Sequence, residues 1–187
     1  MKKLCTFSIG LLLLLLPLSV QAAKLSAESK SVKVGDMFNV VVSLNTENQA
    51  VSGVDVHYLN YDKSLLEAQG AIITAGSLFA VTPTNLVDAT NGRIDFSQIS
   101  TGTTYNGSGT LATISFKALK EGTANLTFNY TNGSTVDCNV SQSGVDLLDG
   151  VTNGTITISA ADVTATDNSS SSSTSSSSST TRIVSFP

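Results

Sequence analysis

Few side chains in this sequence could do chemistry. His57 is the only histidine among 187 residues. A Ser-His-Asp relay needs a serine held on a sharp elbow, and no Gly-x-Ser-x-Gly run occurs. A zinc site needs three or four His, Cys or carboxylate ligands, which His57 and Cys138 do not supply. The stretch Asp146-Leu147-Leu148-Asp149-Gly150 lacks the alternating Asp-x-Asp-x-Asp-Gly spacing of a calcium loop and reads as a turn between strands. No catalytic residue, metal ligand set or cofactor is expected. Sugar binding asks for an aromatic platform. The chain has no Trp and four Tyr. Tyr61 reads as core; of the other three, Tyr58 at the expected bulge and Tyr105 in a Thr/Gly loop are the stacking candidates.

The elements that carry these residues read as strands. Phe38, Val40, Val42 and Leu44 alternate with Asn39, Val41 and Ser43, a period of two residues. Val54 and Val56 keep that rhythm and put Asp55 and His57 on the outer face. Leu59 and Tyr61 fall in the opposite phase, so a bulge is expected near His57-Tyr58 to restore the inward register. Ile94 and Phe96 alternate with outward Arg93, Asp95 and Ser97. Further strands are expected through Ala112–Ala118, Ala124–Phe128 and Ile156–Ile158. Turns at Gly35, Asn91-Gly92, Glu121-Gly122, Asn132-Gly133 and Asn153-Gly154 separate these runs. Only Ser64–Ala68 looks like a helical turn. The fold class is therefore all-β, an antiparallel β-sandwich.

Both ends of the chain differ from this body. Residues 1–22 read as a signal peptide: Lys2 and Lys3, an apolar run with Leu11–Leu16 at its centre, and Val20-Gln21-Ala22 before the cut. Cys5 lies in that segment, so Cys138 is the lone cysteine of the mature chain and reads as a structural thiol. Two of the ten Lys/Arg and none of the 14 acids leave with the signal, and the net charge moves from −4 to −6. Scattered mild acidity does not suit nucleic acid. Residues 23–160 form the expected sandwich. Residues 161–187 are a Ser/Thr-rich linker or tail, expected to be disordered because it has too little apolar surface to offset its ordering entropy. Localisation is expected to be secreted or cell-surface, of bacterial type. Membrane contact is expected only through the signal or a C-terminal anchor beyond the tail.

Several motifs fall in an order that resembles the cohesin domain of bacterial cell-surface and cellulosome scaffold proteins. They are Val32-Lys33-Val34-Gly35-Asp36, Val51-Ser52-Gly53-Val54-Asp55-Val56, Asn60-Tyr61-Asp62-Lys63-Ser64-Leu65-Leu66, Ala75-Gly76-Ser77-Leu78-Phe79, Asn91–Ser97, Gly107–Lys117 and Val151–Ile158. The resemblance implies jelly-roll topology with about nine strands and a relation to carbohydrate-binding modules. It implies a non-enzymatic module that binds a dockerin-type protein partner, any calcium belonging to that partner. It also points to one sheet face, with Asp55, His57, Arg93, Asp95 and Ser97 as the partner-binding residues. The alternatives are a carbohydrate-binding module for polysaccharide catabolism or cell-wall attachment, using Tyr58 and Tyr105, and a structural surface adhesin domain.

Overall fold

The computed structural model describes residues 22–162. The expected signal peptide and Ser/Thr tail lie outside the described residues, save for Ala22, Ala161 and Asp162. Every regular element among the described residues is a strand. In chain order they are β1 (Ala23–Ala27), β2 (Lys30–Lys33), β3 (Met37–Asn45), β4 (Gly53–Tyr61), β5 (Leu66–Ala68), β6 (Thr74–Ala75) and β7 (Val81–Asp88). Then follow β8 (Arg93–Ile99), β9 (Ser108–Ala118), β10 (Gly122–Phe128), β11 (Asn139–Gln142), β12 (Val145–Asp146), β13 (Leu148–Thr152) and β14 (Gly154–Ser159).

Two sheets enclose the core. One has the order β13-β1-β3-β9-β5, with β6 also on β9. The other runs β12-β11-β4-β10-β14-β2, with β8 along the opposite side of β4 and β7 outside β8. Alternating side chains fill the space between them: Val40, Val42 and Leu44 from β3, Ile94 and Phe96 from β8, Ile114 and Phe116 from β9. Tyr61 meets Phe116 edge-on, with ring centroids 5.2 Å apart. This is the expected all-β sandwich.

Two strand pairs, β1–β13 and β2–β14, are parallel, an addition to the antiparallel reading. The cause lies in the chain path. The segment from β1 to β2 passes from one sheet to the other, and so does the segment from β13 to β14, side by side in the same direction. Gly154 sits where they touch. A Cβ there would come 2.7 Å from the Glu28 carbonyl oxygen, so only glycine fits.

The expected bulge is present. The β4–β8 register shifts between His57 and Leu59, and Val54, Val56, Leu59 and Tyr61 are all buried. Two local expectations need correction. Ser64–Ala68 is not a helical turn throughout. Leu65 and Leu66 donate to the Asp62 carbonyl at 3.1 and 2.8 Å, but the chain then straightens into β5. Burial of Leu66 and pairing of Glu67 with Lys117 on β9 outweigh continuation of the turn. Asp146–Gly150 is mostly strand rather than turn, because the Asp146 carboxylate accepts from the Val140 and Leu148 N–H groups and ties β12 and β13 to β11.

Phe116→Ala removes a fully buried ring at the sandwich centre. It should cost about 3–5 kcal/mol, read as a lowered urea midpoint. The Asp62 carboxylate accepts from the Ser64 hydroxyl at 2.6 Å and the Ser64 N–H at 2.8 Å. The hydroxyl bond, then the N–H bond, hold its pKa below the usual value. A group lowered in this way stabilises the fold above its unfolded-state pKa, and that contribution is lost as pH falls through the folded value. Asp62→Asn should therefore lower the urea midpoint at neutral pH, and the difference from wild type should close as the pH falls through the lowered folded-state pKa of Asp62.

Candidate functional site

The outer face of β11, β4, β8 and β7 gathers the residues expected to meet a partner. Cross-strand register sets them in rows. Asn139, Asp55, Ser97 and Thr84 form one row. His57, Asp95 and Leu86 form the next. Asn60, Arg93 and Asp88 form a third. All five expected residues, Asp55, His57, Arg93, Asp95 and Ser97, thus share one surface.

The bulge shapes the middle of this surface. The His57 and Tyr58 rings lie 4.0 Å apart between centroids, and the Arg93 guanidinium sits 5.0 Å over the Tyr58 ring. His57 Nδ1 lies 3.8 Å from Asp95 Oδ2 across the strands. Burial pushes the Asp55 carboxyl above its usual pKa, the Asp95 charge adds to this, and His57 opposes it. From behind, the loop after β10 pins the bulge. The Asn129 side chain donates to the His57 carbonyl at 2.9 Å and its N–H to the Tyr58 carbonyl at 2.8 Å. Cys138, fully buried, packs its sulfur 3.8 Å from the same Tyr58 carbonyl.

The structure adds what the sequence did not reveal. Leu86 projects from β7 beside Asp95 and is 53% exposed. Ile99 and Val81, paired across β8 and β7, are the other apolar groups of this face, and both are exposed. The strand was missed because Pro83, two Thr and Asn85 break its apolar pattern. The available signal was its neighbour: a Val-Asp-Ala-Thr-Asn-Gly run leading into β8 marks a hairpin whose first arm must be a strand. Asp88 closes that hairpin by accepting from the Asn91 side chain at 2.6 Å and its N–H at 3.1 Å.

The two tyrosines stand in different settings. Tyr58 lies on this face under Arg93. Tyr105 exchanges backbone hydrogen bonds with Val51 at 2.8 Å in each direction, and its ring packs 5.8 Å from Phe79 against the core. No cluster of three metal-ligating side chains occurs among the described residues.

A sandwich with one outer face polar in rows and apolar at Leu86, Ile99 and Val81 has the form of a binding module. The comparisons with known proteins name the class. The cohesin domain profile matches residues 23–158, and the chain belongs to the cohesin family, whose domains are non-enzymatic binding modules. Solved structures share its fold. The seventh ScaB type I cohesin from Pseudobacteroides cellulosolvens is 20% identical, with a TM-score of 0.59 over 75% of this chain and 94% of that one. The cohesin in the Coh-OlpC-Doc435 cohesin–dockerin complex from Clostridium thermocellum is 13% identical, with a TM-score of 0.61 over 75% of this chain and 95% of that one. A non-cellulosomal cohesin from the archaeon Archaeoglobus fulgidus is 18% identical, with a TM-score of 0.58 over 74% of this chain and 91% of that one. A search of curated proteins finds no match to the chain.

Burial pushes the Cys138 thiol up to about 12. The thiolate is the reactive form. Cys138 should therefore resist iodoacetamide in the folded protein at pH 8 and be alkylated fully after denaturation in urea, as read by mass spectrometry.

Proposed function

We propose that the β11–β4–β8–β7 face docks a dockerin-type module carried by another protein. The observation that carries this reading is the exposed Leu86 on β7 beside Asp95, at the edge of the face that also holds Asp55, His57, Arg93 and Ser97 on a cohesin sandwich. An exposed apolar anchor next to rows of polar groups is the pattern of a protein interface: the anchor supplies energy, and the polar groups fix register. The module works outside the cell, exported by residues 1–22 and held away from its point of attachment by the Ser/Thr tract in residues 161–187. An assembly that breaks down polysaccharide is the setting the cohesin resemblance suggests for that docking. Calcium, where needed, is bound by the partner.

Direct sugar binding is the weaker reading. Arg93 lies over the Tyr58 ring, and Tyr105 packs against Phe79, so neither tyrosine offers a free stacking platform. The same surface could serve a purely structural adhesin, but that role gives no account of the apolar Leu86 kept in water beside Asp95.

The test is calorimetry of the protein against dockerin-bearing proteins of its own proteome, with calcium and with chelator. Calcium-dependent binding is expected. Leu86→Asp should weaken it by about tenfold or more while leaving the melting temperature unchanged. Failure to bind any of these dockerins, together with saturable glycan binding that Tyr58→Ala and Tyr105→Ala abolish, would transfer the assignment to a carbohydrate-binding module.

A further inference from the structure

We propose that Asn132 is a site of spontaneous modification: its side-chain amide is lost through a succinimide closed by the Gly133 nitrogen, and the isoaspartate that follows loosens the loop bracing the β4 bulge. An asparagine followed by glycine is the pair most open to this reaction, because the second residue has no side chain to hinder ring closure. The chain has four such pairs, Asn91-Gly92, Asn106-Gly107, Asn132-Gly133 and Asn153-Gly154. Sequence alone gives them equal standing. The fold separates them.

Ring closure needs a free asparagine side chain, a glycine N–H able to lose its proton, and backbone freedom to bring the two together. Three pairs fail these conditions. The Asn91 side chain donates to Asp88 at 2.6 Å, and Gly92 is buried. The Asn106 side chain donates to the Asn48 carbonyl at 3.1 Å, and the Gly107 N–H donates to the Thr46 hydroxyl at 2.9 Å. The Asn153 side-chain oxygen accepts from the Phe128 N–H at 3.0 Å, and Gly154 is buried and paired with Leu126. Asn132 and Gly133 are both exposed. Neither the Asn132 side chain nor the Gly133 N–H has a hydrogen bond among the described residues. A Cβ built on Gly133 meets nothing within 4 Å, so the turn has room to move. The pair also lines an open cleft with Asp146 and Asp149, which admits water.

The chemistry needs only that water. The Gly133 nitrogen gives up its proton and bonds to Asn132 Cγ. The bond from Cγ to the side-chain nitrogen breaks, and ammonia leaves with the proton. Water then opens the ring at one of its two carbonyls, and its oxygen stays in the new carboxylate. Opening at Cγ gives an aspartate at position 132. Opening at the main-chain carbonyl gives isoaspartate, whose backbone runs through the former side chain and is one atom longer.

That extra atom falls inside a closed turn. The Ser134 N–H donates to the Thr131 carbonyl at 3.0 Å, and the Thr131 N–H donates to the Asp137 carboxylate at 2.7 Å. A longer path between Thr131 and Ser134 breaks the first bond and disturbs the second. Asp137 is buried, and its Oδ1 already has no hydrogen bond, so the loop has little to spare. Cys138, next in the chain, loses its cover with it.

The test ages the protein at pH 8 and 37 °C in oxygen-18 water and maps the label by mass spectrometry. Label at position 132 should accumulate about tenfold faster than at 91, 106 or 153 in the folded protein, and the four rates should converge in urea. A different pair leading in the folded protein, or the same order kept in urea, overturns the site. Iodoacetamide is then applied to the aged protein without denaturant. Molecules with isoaspartate at 132, identified by methyltransferase labelling, should be alkylated at Cys138 several-fold faster than unmodified ones. Asn132→Asp, which carries the new charge on a normal backbone, should stay protected. Equal protection of Cys138 in the isoaspartate form overturns the loosening, and equal exposure in Asn132→Asp overturns the longer backbone as its cause.

Discussion

The surface of this domain depends on one extra residue in β4. Side chains on a strand alternate, so a regular β4 could bury Val54 and Val56 or Leu59 and Tyr61, but not all four. The bulge at His57-Tyr58 lets the strand bury both pairs. Its cost is an irregular stretch of backbone in the middle of a sheet. That stretch is paired by Asn129, which reaches it with both its main chain and its side chain. The loop that ends in buried Cys138 is thus a brace for the bulge. What the bulge turns outward, a histidine and a tyrosine side by side, gives the face its character.

On the docking face proposed above, polar groups and an apolar group would divide the work of recognition. Exposed charges gain little from one another in water. They gain more when a partner removes the water around them, provided each finds a match. In that docking Leu86 would supply the incentive to remove water, and the polar rows beside it would decide which surfaces can do so. Arg93 is restrained by its place over Tyr58, so less freedom is left to lose on binding.

The strands with clean alternation were legible in the sequence because one face of each is buried and the other is wet. β3, β8 and β10 meet that condition throughout, β9 does so from Ala112 onward, and the phase slip in β4 was legible for the same reason. The outward phase of Asp55, His57, Arg93, Asp95 and Ser97 was legible in those two strands, while their sharing of one face was implied by the cohesin resemblance. β7 was not legible. It is an edge strand whose inward position at Asn85 serves hydrogen bonding to both the N–H and the carbonyl of Ile73 rather than packing, so the apolar signal is missing there. With β7 went Leu86. The parallel pairs were hidden too, since pairing between the two ends of a chain is set by topology and not by local pattern. At Ser64–Ala68 and Asp146–Gly150, local turn chemistry competed with long-range pairing, and the pairing won.

The side-by-side course of the two chain ends has a mechanical consequence. A domain loaded through its ends is pulled away from β1 on one side and from β14 on the other. β1 lies parallel to β13, and β2 parallel to β14. Tension along these strands therefore loads both rows of hydrogen bonds in shear, where they must give way together, rather than peeling them apart one at a time. The crossing at Gly154 locks the two rows to each other. The fold is thus suited to bear load along its two chain ends.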